Sequence, residues 1–137
     1  DGTIIRTASA GAYWERIETG TRAWLEDVDF ISERVGVAVG DRGTVLVTQD
    51  GGENWTPFKT NLRESLNSIS FADEKNGVIV GSRGAILVTE DGGLSWRSEE
   101  TPIEANLFAV TAFASRSAIA VGENGAVVVT SDGGRTW

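Results

Sequence analysis

The chain contains no cysteine, no histidine and no methionine. A thiolate nucleophile, a His-based triad and a Cys/His zinc site are therefore excluded, and no cofactor or metal is expected. The missing cysteines leave the redox compartment open, because strand-rich domains of this size need no disulfide. Positive charge is scarce: 12 Lys and Arg stand against 20 Asp and Glu, for a net charge of −8. That balance argues against nucleic acid and against an anionic membrane surface, both of which need a basic face. No apolar run is long enough to cross a bilayer, and none resembles a signal peptide. The chain begins at Asp1, as a processed chain or an excised fragment would.

Glycine and β-branched residues are plentiful instead. Seventeen glycines, two prolines and 40% hydrophobic residues over 137 positions favour short strands joined by tight turns around one core. One stretch recurs. GVAVGDRGTVLVTQDGGENW (36–55), GVIVGSRGAILVTEDGGLSW (77–96) and AIAVGENGAVVVTSDGGRTW (118–137) end in tryptophans 41 residues apart. One further step back falls on Trp14, which closes a degenerate copy, GTIIRTASAGAYW (2–14).

Each unit carries four strand-like runs. Segments 24–31, 65–72 and 107–114 are equivalent, and Leu25, Leu66 and Leu107 align, as do Val28, Ile69 and Val110. One face of this strand is expected to be buried. The near-continuous apolar runs 35–40, 77–81 and 118–122 read as strands covered on both faces. A fixed period near forty residues with four strands per unit predicts an all-β fold of β-propeller blades, each a four-stranded antiparallel meander. The expected divisions are a partial repeat over 1–14 and full repeats over 15–55, 56–96 and 97–137, all in one propeller region. No helix is expected. Propellers close with four to eight blades, so three periods and an overhang predict either part of a larger propeller or a homo-oligomer that completes the ring. In the second case the 2–17 overhang would exchange strands with a neighbour.

The signature T-x-D-G-G-x-x-W has a structural reading throughout. Asp50, Asp91 and Asp132 accept N–H bonds that close the turn. Gly52, Gly93 and Gly134 supply positive φ. Trp55, Trp96 and Trp137 bury a ring between neighbouring sheets. In the first copy Ser9 and Ala10 replace the Asp and the following Gly, which predicts a looser turn.

This signature resembles the Asp-box, or bacterial neuraminidase repeat, and TSDGGRTW (130–137) fits it throughout. The longer string V-G-x-x-G-x-[IVL]-[LV]-x-T-x-D-G-G-x-x-W is similar to the photosystem II stability/assembly factor family and its bacterial relatives. The resemblance implies a propeller, a protein partner and an extracytoplasmic location. It also implies an arginine-lined partner site, for which Arg42 and Arg83 in the DRG and SRG turns, with Arg6, are the matching residues. Two guanidinium groups on one rim can hold a carboxylate-bearing peptide. The functional reading is therefore a non-catalytic protein-binding scaffold.

The alternative is part of a carbohydrate-active propeller. A sialidase would need a Tyr/Glu pair, and Tyr13, the single tyrosine, falls in the degenerate box on the expected outer rim. A glycosidase needs two carboxylates facing one bond. The candidates are Glu26, Asp27 and Asp29 on the first inner strand, and Asp73 with Glu74 in a turn. Asp29 is the exception to the repeat, aligned with Ser70 and Thr111, and is the acidic residue expected to line the channel or meet a partner.

Overall fold

The computed structural model describes residues 2–137, and the sheets straddle the expected divisions. Each complete sheet takes three strands from one 41-residue unit and its outer strand from the start of the next, so the blades are offset from repeats 15–55 and 56–96. A two-stranded ribbon, β1 (Ile4–Arg6) and β2 (Glu15–Ile17), comes first. Two complete meanders follow: β3 (Leu25–Phe30), β4 (Gly36–Gly40), β5 (Thr44–Thr48) and β6 (Thr56–Phe58), then β7 (Leu66–Phe71), β8 (Gly77–Gly81), β9 (Ile86–Thr89) and β10 (Arg97–Glu99). The last sheet has three strands, β11 (Leu107–Ala114), β12 (Ser117–Gly122) and β13 (Val127–Thr130). The only helical segments among the described residues are the single 3-10 turns at 41–43, 82–84 and 123–125. The expected blade architecture is thus present, with the fourth strand opening one residue after the tryptophan.

The equivalent leucine and Val/Ile positions lie three apart, a spacing that a regular strand would send to opposite faces. A bulge resolves this. The register shifts between Leu25 and Asp27, Leu66 and Ser68, and Leu107 and Ala109. The extra residue turns both apolar side chains toward one layer. Leu66 and Ile69 accordingly pack with Val37, Val39 and Val45 of the preceding blade, and Leu107 and Val110 with Val78, Val80 and Ile86. Val28 departs from the expectation. It is exposed because no complete blade precedes it.

The box turn works between blades as well as within one. The Thr48 hydroxyl donates to Asp50 Oδ1 (2.8 Å) and accepts the Gly52 N–H (2.9 Å). Asp50 then accepts the N–H groups of Glu53 and Asn54, three and four residues on. Thr89–Asp91 and Thr130–Asp132 repeat the pattern. The indoles of Trp55 and Trp137 donate to the carbonyls of Gly52 (3.2 Å) and Gly134 (3.1 Å), while the buried Trp96 Nε1 has no acceptor among the described residues. The three rings sit in the layers between sheets, with Phe30 edge-on to Trp55 at 6.1 Å and Phe71 edge-on to Trp96 at 6.0 Å.

In the degenerate copy Thr7 Oγ1 still accepts the Gly11 N–H and Ser9 Oγ the Tyr13 N–H. Ala10 holds φ +51° where Gly51 has +76°. The turn keeps its hydroxyl bonds but lacks the second carboxylate oxygen, and Trp14 stands exposed.

The flank of the last sheet is open. Ile119, Val121, Val127 and Val129 are exposed, although their equivalents Val78, Val80, Ile86 and Val88 are buried under the following blade. This flank has the composition and register of a blade-on-blade surface.

A Cβ on Gly93 (φ +85°) would stand 3.1 Å from Cγ2 of the fully buried Val37, whereas one on Gly125 (φ +75°) meets nothing within 4 Å. Both glycines sit at similar positive φ, so the difference between the two substitutions reports chiefly on the contact. Gly93→Ala is expected to destabilise by about 1 kcal/mol more than Gly125→Ala in urea unfolding; equal losses would remove the interblade role of the box.

The Asp50 carboxyl is pulled down to about 2 by the Asn54 backbone N–H, then the Asn54 side chain and Thr48. Asp132 is lowered by Thr136, through its hydroxyl and then its N–H. In Asp91 burial pushes upward, but Ser95 and Thr89 bonds outweigh it and the net shift is down. A depressed folded pKa gives stability that is complete above about pH 4, the unfolded aspartate value, and lost as pH falls through the folded value. The thermal midpoint should hold from pH 7 to 5 and drop between pH 4 and 2. Asp50→Asn should lower it at pH 7 and shrink the acid drop; an unaltered acid profile would contradict this assignment.

Candidate functional site

Two loop sets meet on one face of the stack: the turns linking the second and third strands of each blade (41–43, 82–84, 123–125) and the loops that precede each inner strand. Within a blade, Asp41 N donates to Trp24 O (2.9 Å), Ser82 N to Ser65 O (2.8 Å) and Glu123 N to Asn106 O (2.9 Å). Between blades, Gly43 N donates to Glu64 O and Gly84 N to Ala105 O, both at 2.8 Å. Thr60 and Thr101 return the bond, their hydroxyls donating to the carbonyls of Gly43 and Gly84. The rim is therefore stitched from blade to blade, and side chains projecting from it stand on a fixed backbone.

Arg42 and Arg83 project from that rim. Each occupies the left-handed region, at φ +57°, the place of Asn124 in the third blade (φ +54°). Asn tolerates this conformation far better than arginine, so local backbone preference does not account for the two arginines. Arg22 and Arg63 join them on the same face. Arg22 lines a cleft of about 230 Å³ with Ala23, Trp24, Asp41 and Arg42. Arg63 and Arg83 flank Glu64. The Glu64 carboxyl is held below its usual range by its own backbone N–H and that of Arg63, and further by the positive charges of Arg83 and Arg63. The order along the rim is Arg22, Arg42, Arg63, Arg83, and all four are exposed. Among the described residues, none of their guanidinium groups makes a salt bridge or a side-chain hydrogen bond. Sequence reasoning missed Arg22 and Arg63, although they are also 41 residues apart. Their loop lies outside the box-centred string, and only the fold brings it beside the DRG and SRG turns.

Arg6 is elsewhere. Its Nε donates to Gly51 O (2.9 Å), and its Nη atoms meet Glu15 (2.8 Å) and Glu53 (3.4 Å). It thus sits against the first box turn, at the opposite end of β5 from Arg42, and does not share the rim with Arg42 and Arg83. It occupies the place of Val47 and Val88 and clips the box to the preceding ribbon.

Asp29 and Asp27 bridge adjacent inner strands. Asp29 accepts Phe30 N on Oδ1 (2.9 Å) and Phe71 N on Oδ2 (2.8 Å). Asp27 accepts Val28 N on Oδ1, and Ser68 Oγ and Ile69 N on Oδ2. One blade on, Ser68 and Ser70 accept the N–H groups of Val110 and Ala112. Asp29 and Ser70 are thus equivalent acceptors, each capping an otherwise unpaired N–H group of the next inner strand. Glu26 is exposed. Asp73 accepts the Lys75 and Asn76 N–H groups and the Asn76 side chain, closing its own turn. Its carboxyl is lowered chiefly by the Lys75 N–H. Among the described residues no group of three or more Asp or Glu is placed to hold a metal ion.

The family model for the photosynthesis system II assembly factor YCF48 matches residues 6–137. No curated protein matches by sequence. Among solved structures, YCF48 bound to D1 peptide superposes with TM-score 0.82 at 33% identity, covering 90% of this chain and 42% of that one. YCF48 from Cyanidioschyzon merolae gives 0.81 at 31% identity, with 92% and 42% covered. An ancestral GH74 enzyme reaches 0.80 over 97% of this chain and 20% of its own, but at 15% identity, a likeness of fold alone. The chain thus spans less than half the length of the YCF48 structures it matches. With its box-pinned sheets and a family model matched over nearly its whole length, the chain belongs to the photosynthesis system II assembly factor YCF48 family.

Proposed function

We propose that this chain is a non-catalytic, protein-binding segment of an assembly-factor propeller whose rim of arginines holds an acidic peptide. The observation that carries this is the row Arg22, Arg42, Arg63 and Arg83: four cations on one face, on a stitched backbone, with Asp41 and Glu64 nearby but no salt bridge to any of the four among the described residues. Unpaired guanidinium groups held at fixed spacing favour carboxylates by bidentate bonds and steer them at low ionic strength. The chain's overall charge of −8 confines this preference to the rim. A family member solved with a D1 peptide supports a peptide as the occupant. The non-catalytic reading is supported by the inner strands, where Asp27 and Asp29 accept backbone N–H groups of the next blade.

The test is fluorescence anisotropy with a labelled acidic peptide at low salt, comparing the wild-type chain with Arg42→Glu/Arg83→Glu. Both residues are exposed, so circular dichroism and thermal midpoint should change little. Affinity should fall at least about tenfold and its salt dependence should weaken. Unchanged affinity in a folded double variant would remove the rim from the proposal.

A further inference from the structure

Resting on that reading of the rim, we propose that the cleft between Arg22, Trp24 and Arg42 is its selective subsite, taking a peptide carboxylate that stands beside an aromatic side chain. Trp24 is 67% exposed, and it breaks the repeat. The equivalent residues, Ser65 and Asn106, are short and polar, and both serve the rim: Ser65 Oγ donates to Asp41 Oδ1 (2.7 Å), and Asn106 Nδ2 to Glu123 Oε2 (3.1 Å). Among the described residues the exposed Trp24 side chain makes no hydrogen bond. Its carbonyl accepts Asp41 N at 2.9 Å, which fixes the backbone from which the indole projects. A large apolar surface is thus held in water, between two arginines, at a position where the fold is served by serine or asparagine.

The cleft holds about 230 Å³, below the range of drug-sized ligand sites and suited to one side chain and its neighbouring acid. Its chemistry is divided. The Arg22 and Arg42 guanidinium groups offer planar forks for a carboxylate. The indole offers a face for offset or edge-on packing of a second ring. Asp41 is drawn toward Ser65 of the next blade, and it disfavours a second acid on its own side of the cleft. Tryptophan and arginine together are the residue types that dominate binding energy at protein surfaces.

Two sources of such a carboxylate exist, an internal acidic residue next to phenylalanine and a phenylalanine at a free C-terminus. Three labelled acidic peptides separate them: one with an internal Glu-Phe and an amidated end, the same peptide with Ala for Phe, and one ending in Phe with a free carboxylate. Each is titrated by anisotropy against the wild-type chain, Trp24→Ser and Trp24→Phe. The serine variant installs the residue that the second blade carries at this place, so the fold is expected to survive. At least one Phe-containing peptide should bind the wild type about fivefold tighter than the Ala peptide. That gain should vanish in Trp24→Ser and persist within about twofold in Trp24→Phe. The Phe peptide showing the larger gain identifies the source. Absence of any Phe gain in the wild type, or an undiminished gain in Trp24→Ser, would overturn the subsite while leaving the arginine rim standing. Failure of all three peptides to bind the wild type would instead overturn the rim and the subsite with it.

Discussion

The structure depends on how each blade is fastened to the one before it. Three sets of bonds cross every complete seam, at different depths. At the inner edge a side-chain acceptor on one strand caps the N–H groups of the next, as Asp29 does for Phe71. Through the middle runs an apolar layer closed by a tryptophan. On the rim a glycine N–H and a threonine hydroxyl exchange bonds across the gap. An isolated four-stranded meander would leave both its faces in water, and the seam is what buries them.

This division of labour frees the exposed side chains. The rim backbone is held by N–H and carbonyl groups, so the residue just before each seam glycine can vary without loosening the joint. Arg42, Arg83 and Asn124 share one conformation yet differ in charge. The loop residues Arg22, Arg63 and Glu104 vary in the same way. Two neighbouring blades thus carry a basic rim while the third does not, and the difference is written in side chains that the fold does not need. That is the arrangement expected of a scaffold on which function is added at the surface.

Much of this was legible in the sequence. The 41-residue spacing of Trp14, Trp55, Trp96 and Trp137 gave the blades. The apolar runs at 35–40 and 77–81 gave strands buried on both faces, whereas the run at 118–122 is covered on one face only. The bulge was not legible: the three-residue spacing of Leu66 and Ile69 marks a shared face only when an extra residue intervenes, and no residue type announces it. The threonine of the box was missed as a bonding partner because a hydroxyl between two strands reads as ordinary β-propensity. Asp29 looked exceptional because charge was compared. As hydrogen-bond acceptors, Asp29 and Ser70 do the same work. Family resemblance alone groups Arg6 with Arg42 and Arg83; its place in the repeat is that of Val47, at the box end of its strand and away from the rim at the other end.

Residue-resolved amide hydrogen exchange tests the seam most directly. The account predicts slow exchange at Gly43 and Gly84, whose N–H groups cross to the next blade, and at Ile69 and Phe71, capped by the preceding inner strand. Gly125, the third copy of the rim glycine with no atom near its Cβ position, should exchange fast. Exchange at Gly43 and Gly84 as rapid as at Gly125 would contradict the claim that these bonds hold blade to blade.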